Sequence, residues 1–161
     1  MNDYCDAPDE VAKNPNIKAE LGYLANGNED AFRFMWTMWN WSHVIDDLVD
    51  QDKQAGVENA AKYFVLILKE ATFNPFYQAN AAYLFGLVAS MFNRWCDGEE
   101  FEHSDDKVKQ AQSSVIKCGD LDLYLGVAFL TGGWDHVRRC KAFRTYDLNG
   151  LELAAQTTEE N

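Results

Sequence analysis

Between Ala31 and Gln51 the chain contains neither glycine nor proline, and the run 36–50 reads WTMWNWSHVIDDLVD. Wound at about 100° per residue, Trp36, Trp39, Asn40, His43, Asp46, Asp47 and Asp50 fall on one stripe. Phe34, Met38, Trp41, Ile45 and Leu48 fall on the opposite stripe. Both stripes carry large apolar groups over most of their length. A helix that is apolar all round is a buried one. The run therefore predicts a central helix, and its aspartates, spaced D-D-x-x-D, sit at the C-terminal end below two tryptophans of the same face.

That placement is unfavourable taken alone. Asp46 with Asp50, and Asp47 with Asp50, are like-charge pairs at i,i+4 and i,i+3, each costing about 0.2–0.5 kcal/mol. Negative charge near a helix C-terminus also opposes the macrodipole, by about 0.3–1 kcal/mol per group. Asp52 adds a further charge. A cation, a nearby Arg or Lys, or protonation of one carboxyl would offset this. Magnesium takes oxygen ligands and binds through one or two carboxylates plus substrate phosphates. The structural alternative is a solvated acidic helix end paired with Lys53 and an arginine from another helix.

Length and composition bound the fold. A chain of 161 residues is long enough for one domain with a substantial core. Only 3 residues are proline while 47% are hydrophobic and 14% aromatic. Long runs without turn residues predict an all-α fold, a single-domain bundle of five to six helices over 1–150, with 1–16 an irregular lead-in and 151–161 a loose acidic tail. The net charge of −12 argues against nucleic acid and against an anionic membrane surface, because phosphate backbones need a basic partner. No apolar run reaches the roughly 18–20 residues of a membrane span. The first ten residues, MNDYCDAPDE, do not read as a signal peptide. Cys5, Cys96, Cys118 and Cys140 are scattered, which predicts reduced, mostly buried thiols and a cytoplasmic setting.

Along the chain, 17–25 forms a short helix with Leu21 and Leu24 inward. Asn26-Gly27-Asn28 is a turn, and Asn28 caps the central helix. The stretch 57–72 is the next helix, with Ala61, Phe64, Val65 and Leu68 on its apolar face. Asn74 then caps a helix opened by Pro75 and stopped by Gly98. Ser104 caps a fourth helix that bends near Gly119 and reaches about Leu130. Gly132-Gly133 breaks it, and 134–146 forms a fifth.

The helix opened by Pro75 carries a second informative stripe: Ala79, Ala82, Gly86, Ala89, Ser90, Asn93 and Asp97, joined by Glu100 if the helix passes Gly98. Small residues ending in Asn and Asp fit close helix packing topped by a polar end, or the wall of an open cavity with metal ligands at its mouth.

The segment 42–50, SHVIDDLVD, resembles the first aspartate-rich motif of the class I isoprenoid synthases, the superfamily of trans-prenyltransferases, phytoene and squalene synthases and terpene cyclases. The resemblance covers about a tenth of the chain. It implies a helical bundle in which Asp46, Asp47 and Asp50 bind magnesium and the magnesium holds a diphosphate. Terpene cyclases carry a second motif, N-x-x-x-S/T-x-x-x-E. Here Asn93 matches its first position, Asp97 stands where Ser or Thr belongs, and Glu100 is one residue from the Glu position. A second DDxxD is absent, and members of the superfamily are usually about twice this length. The resemblance further implies an apolar ligand group lying against Trp36, Trp39 and Gly86, with Asn40, His43 and Ser90 beside it. Arg94, Lys117, Arg138 and Arg139 are the cations for its phosphates, arginine ahead of lysine because its fork binds phosphate bidentately. If the protein is an enzyme, it would be a magnesium-dependent transferase or lyase acting on a prenyl diphosphate.

The alternative is a non-catalytic helical binding or interaction protein, of mobile-element or viral type, in which the aspartates are structural and the tryptophan-rich helix is core. A homo-oligomer formed through one apolar helix face fits either reading. No G-x-S-x-G, P-loop or dinucleotide fingerprint is present, and three histidines are too few for a phosphohydrolase of the His-Asp type.

Overall fold

The structure, a computed structural model, describes residues 17–50 and 56–140. Among these residues there are six α-helices and no strand: α1 (Ile17–Leu24), α2 (Glu29–Val49), α3 (Val57–Phe73), α4 (Pro75–Glu102), α5 (Lys107–Lys117) and α6 (Asp120–Arg139). The all-α expectation is met. The lead-in, the tail and Lys53 lie outside the described residues. The helices group into two compact units divided within α4, after Ala81.

In the first unit α2 packs against α1 and α3. Leu21 and Leu24 of α1 are fully buried, as their spacing predicts. The chain turns through Asn26 and Gly27 at φ of 50° and 78°, a left-handed pair that glycine adopts without steric cost. Asn28 then caps α2, its Oδ1 accepting from the Ala31 N–H at 2.9 Å. Every residue from Phe34 to Asn40 is buried. Burying Phe34, Met35, Trp36, Met38 and Trp39 contributes about 1.5–3 kcal/mol each, which makes α2 the core of this unit. Beyond Val44 the helix opens: Ile45, Asp46 and Asp47 are half-buried, and Leu48, Val49 and Asp50 are exposed.

Helix α3 departs from expectation. Its inward face holds Tyr63 and Glu70, while Phe64, Val65 and Leu68, predicted as the apolar inner face, are 52%, 62% and 51% exposed. The buried Glu70 explains which side turned in. Its carboxylate accepts from Arg33 Nε at 3.0 and 3.2 Å and from the Asn74 amide. Asn74 also donates to the Asp30 carbonyl at 2.8 Å, and its Oδ1 caps α4 by accepting from the Tyr77 N–H at 3.0 Å. A charged group buried this far needs partners, and Arg33 and Asn74 stand on the side of α3 that faces α2 and the start of α4.

In the second unit α4 is the spine. It continues through Gly98, which does not stop it: Gly98 is buried, and a Cβ there would lie 3.2 Å from the Ser113 carbonyl oxygen and the Lys117 nitrogen of α5. Gly119 and Gly126 make comparable approaches, to the Met91 Cα at 2.9 Å and to Leu87 Cδ1 at 2.5 Å. The expected fourth helix is divided at Cys118 and Gly119 into α5 and α6. The cap of α5 is Asp106, accepting from the Val108 N–H at 2.9 Å, while the Ser104 hydroxyl accepts from the Asp106 N–H ahead of the helix. Helix α6 kinks at Gly133 (φ 69°, ψ −172°) and runs on to Arg139. Leu84, Met91, Leu123, Tyr124 and Val127 are among this unit's buried side chains. Of the described cysteines, Cys140 is buried, Cys118 half-buried and Cys96 exposed, against the expectation of mostly buried thiols.

Replacing Glu70 with Ala removes the acceptor of Arg33 and of Asn74 together. We expect a loss of about 3 kcal/mol in unfolding free energy, read by urea denaturation with an unchanged slope. A loss below about 1 kcal/mol would reduce the clasp to an ordinary surface ion pair.

Candidate functional site

The sequence candidates divide between the two units. In the first, the aromatic residues of the α2 stripe form a ladder along their own helix. Phe32 stacks on Trp36 at 6.3 Å between centroids, Trp36 on Trp39 at 5.3 Å, and Trp39 meets the His43 ring at 4.1 Å. Trp36 and Trp39 are each only 5% exposed, so their faces are engaged in packing. Lys18 of α1 stands over the Trp36 ring at 5.7 Å.

The polar members of the stripe are bonded inside this ladder. Asn40 is 1% exposed. Its amide donates to the Trp36 carbonyl at 2.6 Å and its Oδ1 accepts from the Tyr63 hydroxyl at 3.2 Å. Burial pushes the Tyr63 phenol above its ordinary value. His43 Nδ1 lies 2.8 Å from the Trp39 carbonyl oxygen, a geometry that places its proton on Nδ1. A buried asparagine fully used by the backbone and a tyrosine fixes the side chain in place, as buried polar groups require.

Asp46 and Asp47 stand half-buried one turn beyond His43, and Asp50, the C-cap, is exposed. Each of the three has interaction partners. Among the described residues no group of three or more His, Cys, Asp or Glu side chains is gathered as a metal cage would be.

In the second unit the small-residue stripe of α4 is exposed from Ala82 through Gly86, Ala89, Ser90 and Asn93 to Asp97 and Glu100, as is Ala79 at its start in the first. A Cβ at Gly86 would meet nothing within 4 Å. The stripe therefore does not make the close helix packing that was one of its two expected roles. The packing falls to the opposite side, to Leu84 and Met91, and to the glycines that α5 and α6 bring against α4. Asn93 donates its amide to the Asp97 carboxylate at 3.0 Å. Ser90 borders an open pocket of about 370 Å³ shared with Tyr83, Asp122, Phe129 and Trp134.

Three of the four cations named from sequence are engaged. Arg94 donates to Asp122 of α6 and to the Val115 carbonyl of α5 at 3.2 Å, tying both helices to α4. Lys117 is held by Glu99 and Glu102. Arg138 lies over the Trp134 ring at 6.0 Å, and it and Arg139 are exposed. Missed from sequence are Arg33 and Glu70, and the bond of the helix cap Asn74 to the Glu70 carboxylate. A glutamate inside the run YFVLILKEATF was the available signal, since an acidic group among apolar neighbours needs a cation.

Burial alone pulls the Lys117 ammonium down, but its hydrogen bonds to Glu102 and Glu99 and their charges outweigh this and raise it above the ordinary 10.5. A lysine raised in the folded state contributes stability that is complete below its unfolded pKa and is lost as pH rises through its folded pKa. Lys117→Met should therefore melt with a shallower decline than the wild type above pH 10.5. Equal steepness in the two melting series would remove Lys117 from the alkaline transition.

Comparison of the chain with protein-family models, with curated proteins and with solved structures returns no match.

Proposed function

We propose that the protein is a non-catalytic helical interaction module whose contact surface is the apolar face of α3. One observation carries this reading. Val57, Phe64, Val65 and Leu68 are all more than half exposed, and they recur at the spacing of a single helix face. Scattered surface hydrophobes need no explanation, but a contiguous exposed apolar face is characteristic of a binding surface. The Trp-rich α2 is core on this reading, and Asp46, Asp47 and Asp50 are the charged end of a buried helix.

The test is stability at high dilution, where association is absent. Leu68→Gln on the exposed face should change the unfolding free energy by less than about 0.5 kcal/mol. The core substitution Leu84→Ala should cost about 2–5 kcal/mol. Should Leu68→Gln cost as much as Leu84→Ala, α3 would belong to the core and the reading would fail.

A second reading keeps the acidic end of α2 as the seat of a magnesium-bound phosphate or diphosphate ligand, as the class I isoprenoid synthase resemblance implies. What favours it is the pair of neighbouring half-buried carboxylates, Asp46 and Asp47, at a helix end whose dipole disfavours negative charge. Thermal melting with and without magnesium and inorganic pyrophosphate tests it. Ligands at about 100 times their dissociation constant stabilise by about 2.7 kcal/mol. An upward shift requiring both ligands, and lost in Asp46→Asn/Asp50→Asn, supports this reading. No shift in the wild type removes it.

A further inference from the structure

Three large aromatic side chains of the second unit stand partly in solvent around one pocket. Tyr83, Phe129 and Trp134 are 48%, 49% and 66% exposed, and all three line the open pocket of about 370 Å³. An unbroken α6 would not place the last two together. Asp122, Gly126 and Phe129 recur at i, i+4 and i+7 and share one face of the helix. Trp134 follows Phe129 by five residues, which is about 140° round a regular helix. The kink at Gly133, φ 69° and ψ −172°, redirects the last turn so that Trp134 lines the same pocket. That backbone region is open essentially to glycine alone. On the other side, Tyr83 and Leu87 of α4 rest against Gly126, where a Cβ would meet Leu87 Cδ1 at 2.5 Å and Tyr83 Cε1 at 3.3 Å. The pocket is thus walled by α4, by the body of α6 and by the turn beyond Gly133.

The charge of the lining has one sign. Asp122 contributes a carboxylate, and no Lys, Arg or His lines the pocket among the described residues. The bond from Arg94 takes Oδ2 of Asp122, and the Asp122 side chain is still 60% exposed. The face of an aromatic ring attracts a cation within about 6 Å. Trp134 already holds one: the Arg138 guanidinium lies over its ring at 6.0 Å without lining the pocket. Aromatic walls with one carboxylate and no competing cation suit an alkylated ammonium, whose charge is spread over methyl groups. A bare ammonium is strongly hydrated and loses more on entering such a site. The volume stands near the lower end of small-molecule sites, about 300–1,000 Å³, so the ligand is compact. Asp122 and the net charge of −12 disfavour a phosphate beside the ammonium.

We infer that this pocket binds a small quaternary ammonium compound that carries no phosphate, with Tyr83, Phe129 and Trp134 against its methyl groups and Asp122 opposing its charge. The inference goes beyond the contact surface of α3 and is independent of it.

The test is a titration of the isotope-labelled full chain with choline chloride, against sodium chloride at equal ionic strength. The five tryptophans give five indole N–H resonances, and Trp134→Phe identifies that of Trp134 by its loss. Choline should shift the Trp134 resonance saturably and leave the remaining indole signals in place. For the variants, saturation transfer to the choline methyl protons gives the dissociation constant, and far-UV circular dichroism confirms the helix content. Trp134→Leu keeps an apolar side chain at an exposed position and should weaken binding about tenfold. Gly133→Ala should do the same without altering any lining side chain, because it misplaces Trp134. Asp122→Asn should weaken binding about threefold, the size of an exposed ion pair. The uncharged analogue of choline, with tert-butyl in place of trimethylammonium, should bind about tenfold more weakly, and phosphocholine more weakly than choline. A choline shift that never saturates, or binding that survives Trp134→Leu unchanged, overturns the site. Equal binding of the uncharged analogue overturns the choice of a cation. Phosphocholine binding as tightly as choline overturns the exclusion of phosphate and points to a lipid headgroup. A trimethyllysine peptide that binds where choline does not overturns the assignment to a small molecule.

Discussion

The first unit turns on one buried carboxylate. Glu70 could not be buried beside α2 without a cation, and Arg33 supplies it from the first turns of α2. Asn74 completes the arrangement by joining the same carboxylate to the cap of α4 and the backbone of Asp30. Three helices are thereby fixed in rotation relative to one another. Hydrophobic burial is non-directional and would have been satisfied equally well, or better, by turning Phe64, Val65 and Leu68 inward. The polar clasp specifies the other rotation and leaves an apolar face outside. A buried ion pair used in this way fixes orientation more than it adds stability.

That division also explains what was legible in the sequence. The run from Phe34 to Asn40 is apolar on every side, and no helix rotation could expose all of it, so its burial could be read directly. The caps at Asn28 and Asn74 are local chemistry and were equally readable. The rotation of α3 was not, because amphipathic periodicity identifies an apolar face and is silent on whether it meets the same molecule or another. The same limit applied to α4. Its stripe of small residues suggested close packing, yet the close approaches come from Gly119 and Gly126, contributed by the opposing chain segments. Gly98 was read as a stop because glycine weakens helices, whereas its role is to admit α5.

The candidate site divides along similar lines. Trp36, Trp39, Asn40 and His43 share a face as their spacing predicted, but the face closes on itself through ring stacking and backbone hydrogen bonds. Arg94 and Lys117 were named as cations for a ligand's phosphates. Their acidic partners Asp122, Glu99 and Glu102 are distant or unremarkable in sequence, and only the packing of α5 and α6 on α4 brings them within reach. A chain with 26 acidic and 14 basic residues leaves few cations uncommitted. Structural pairing was therefore the stronger competitor for each arginine and lysine.

The kink at Gly133 has a consequence for how α6 moves. A residue at positive φ with extended ψ interrupts the hydrogen-bond ladder, so the turn carrying His136 and Cys140 is not continuous with the helix before it. Cooperative units in a protein tend to end where the ladder ends. Amides beyond Gly133 should exchange with solvent through a small, local opening, while those around Tyr124 and Val127 wait for the unit as a whole. On this reasoning the terminal turn should open as its own unit, exposing its buried His136 and Cys140 sooner than the rest of α6.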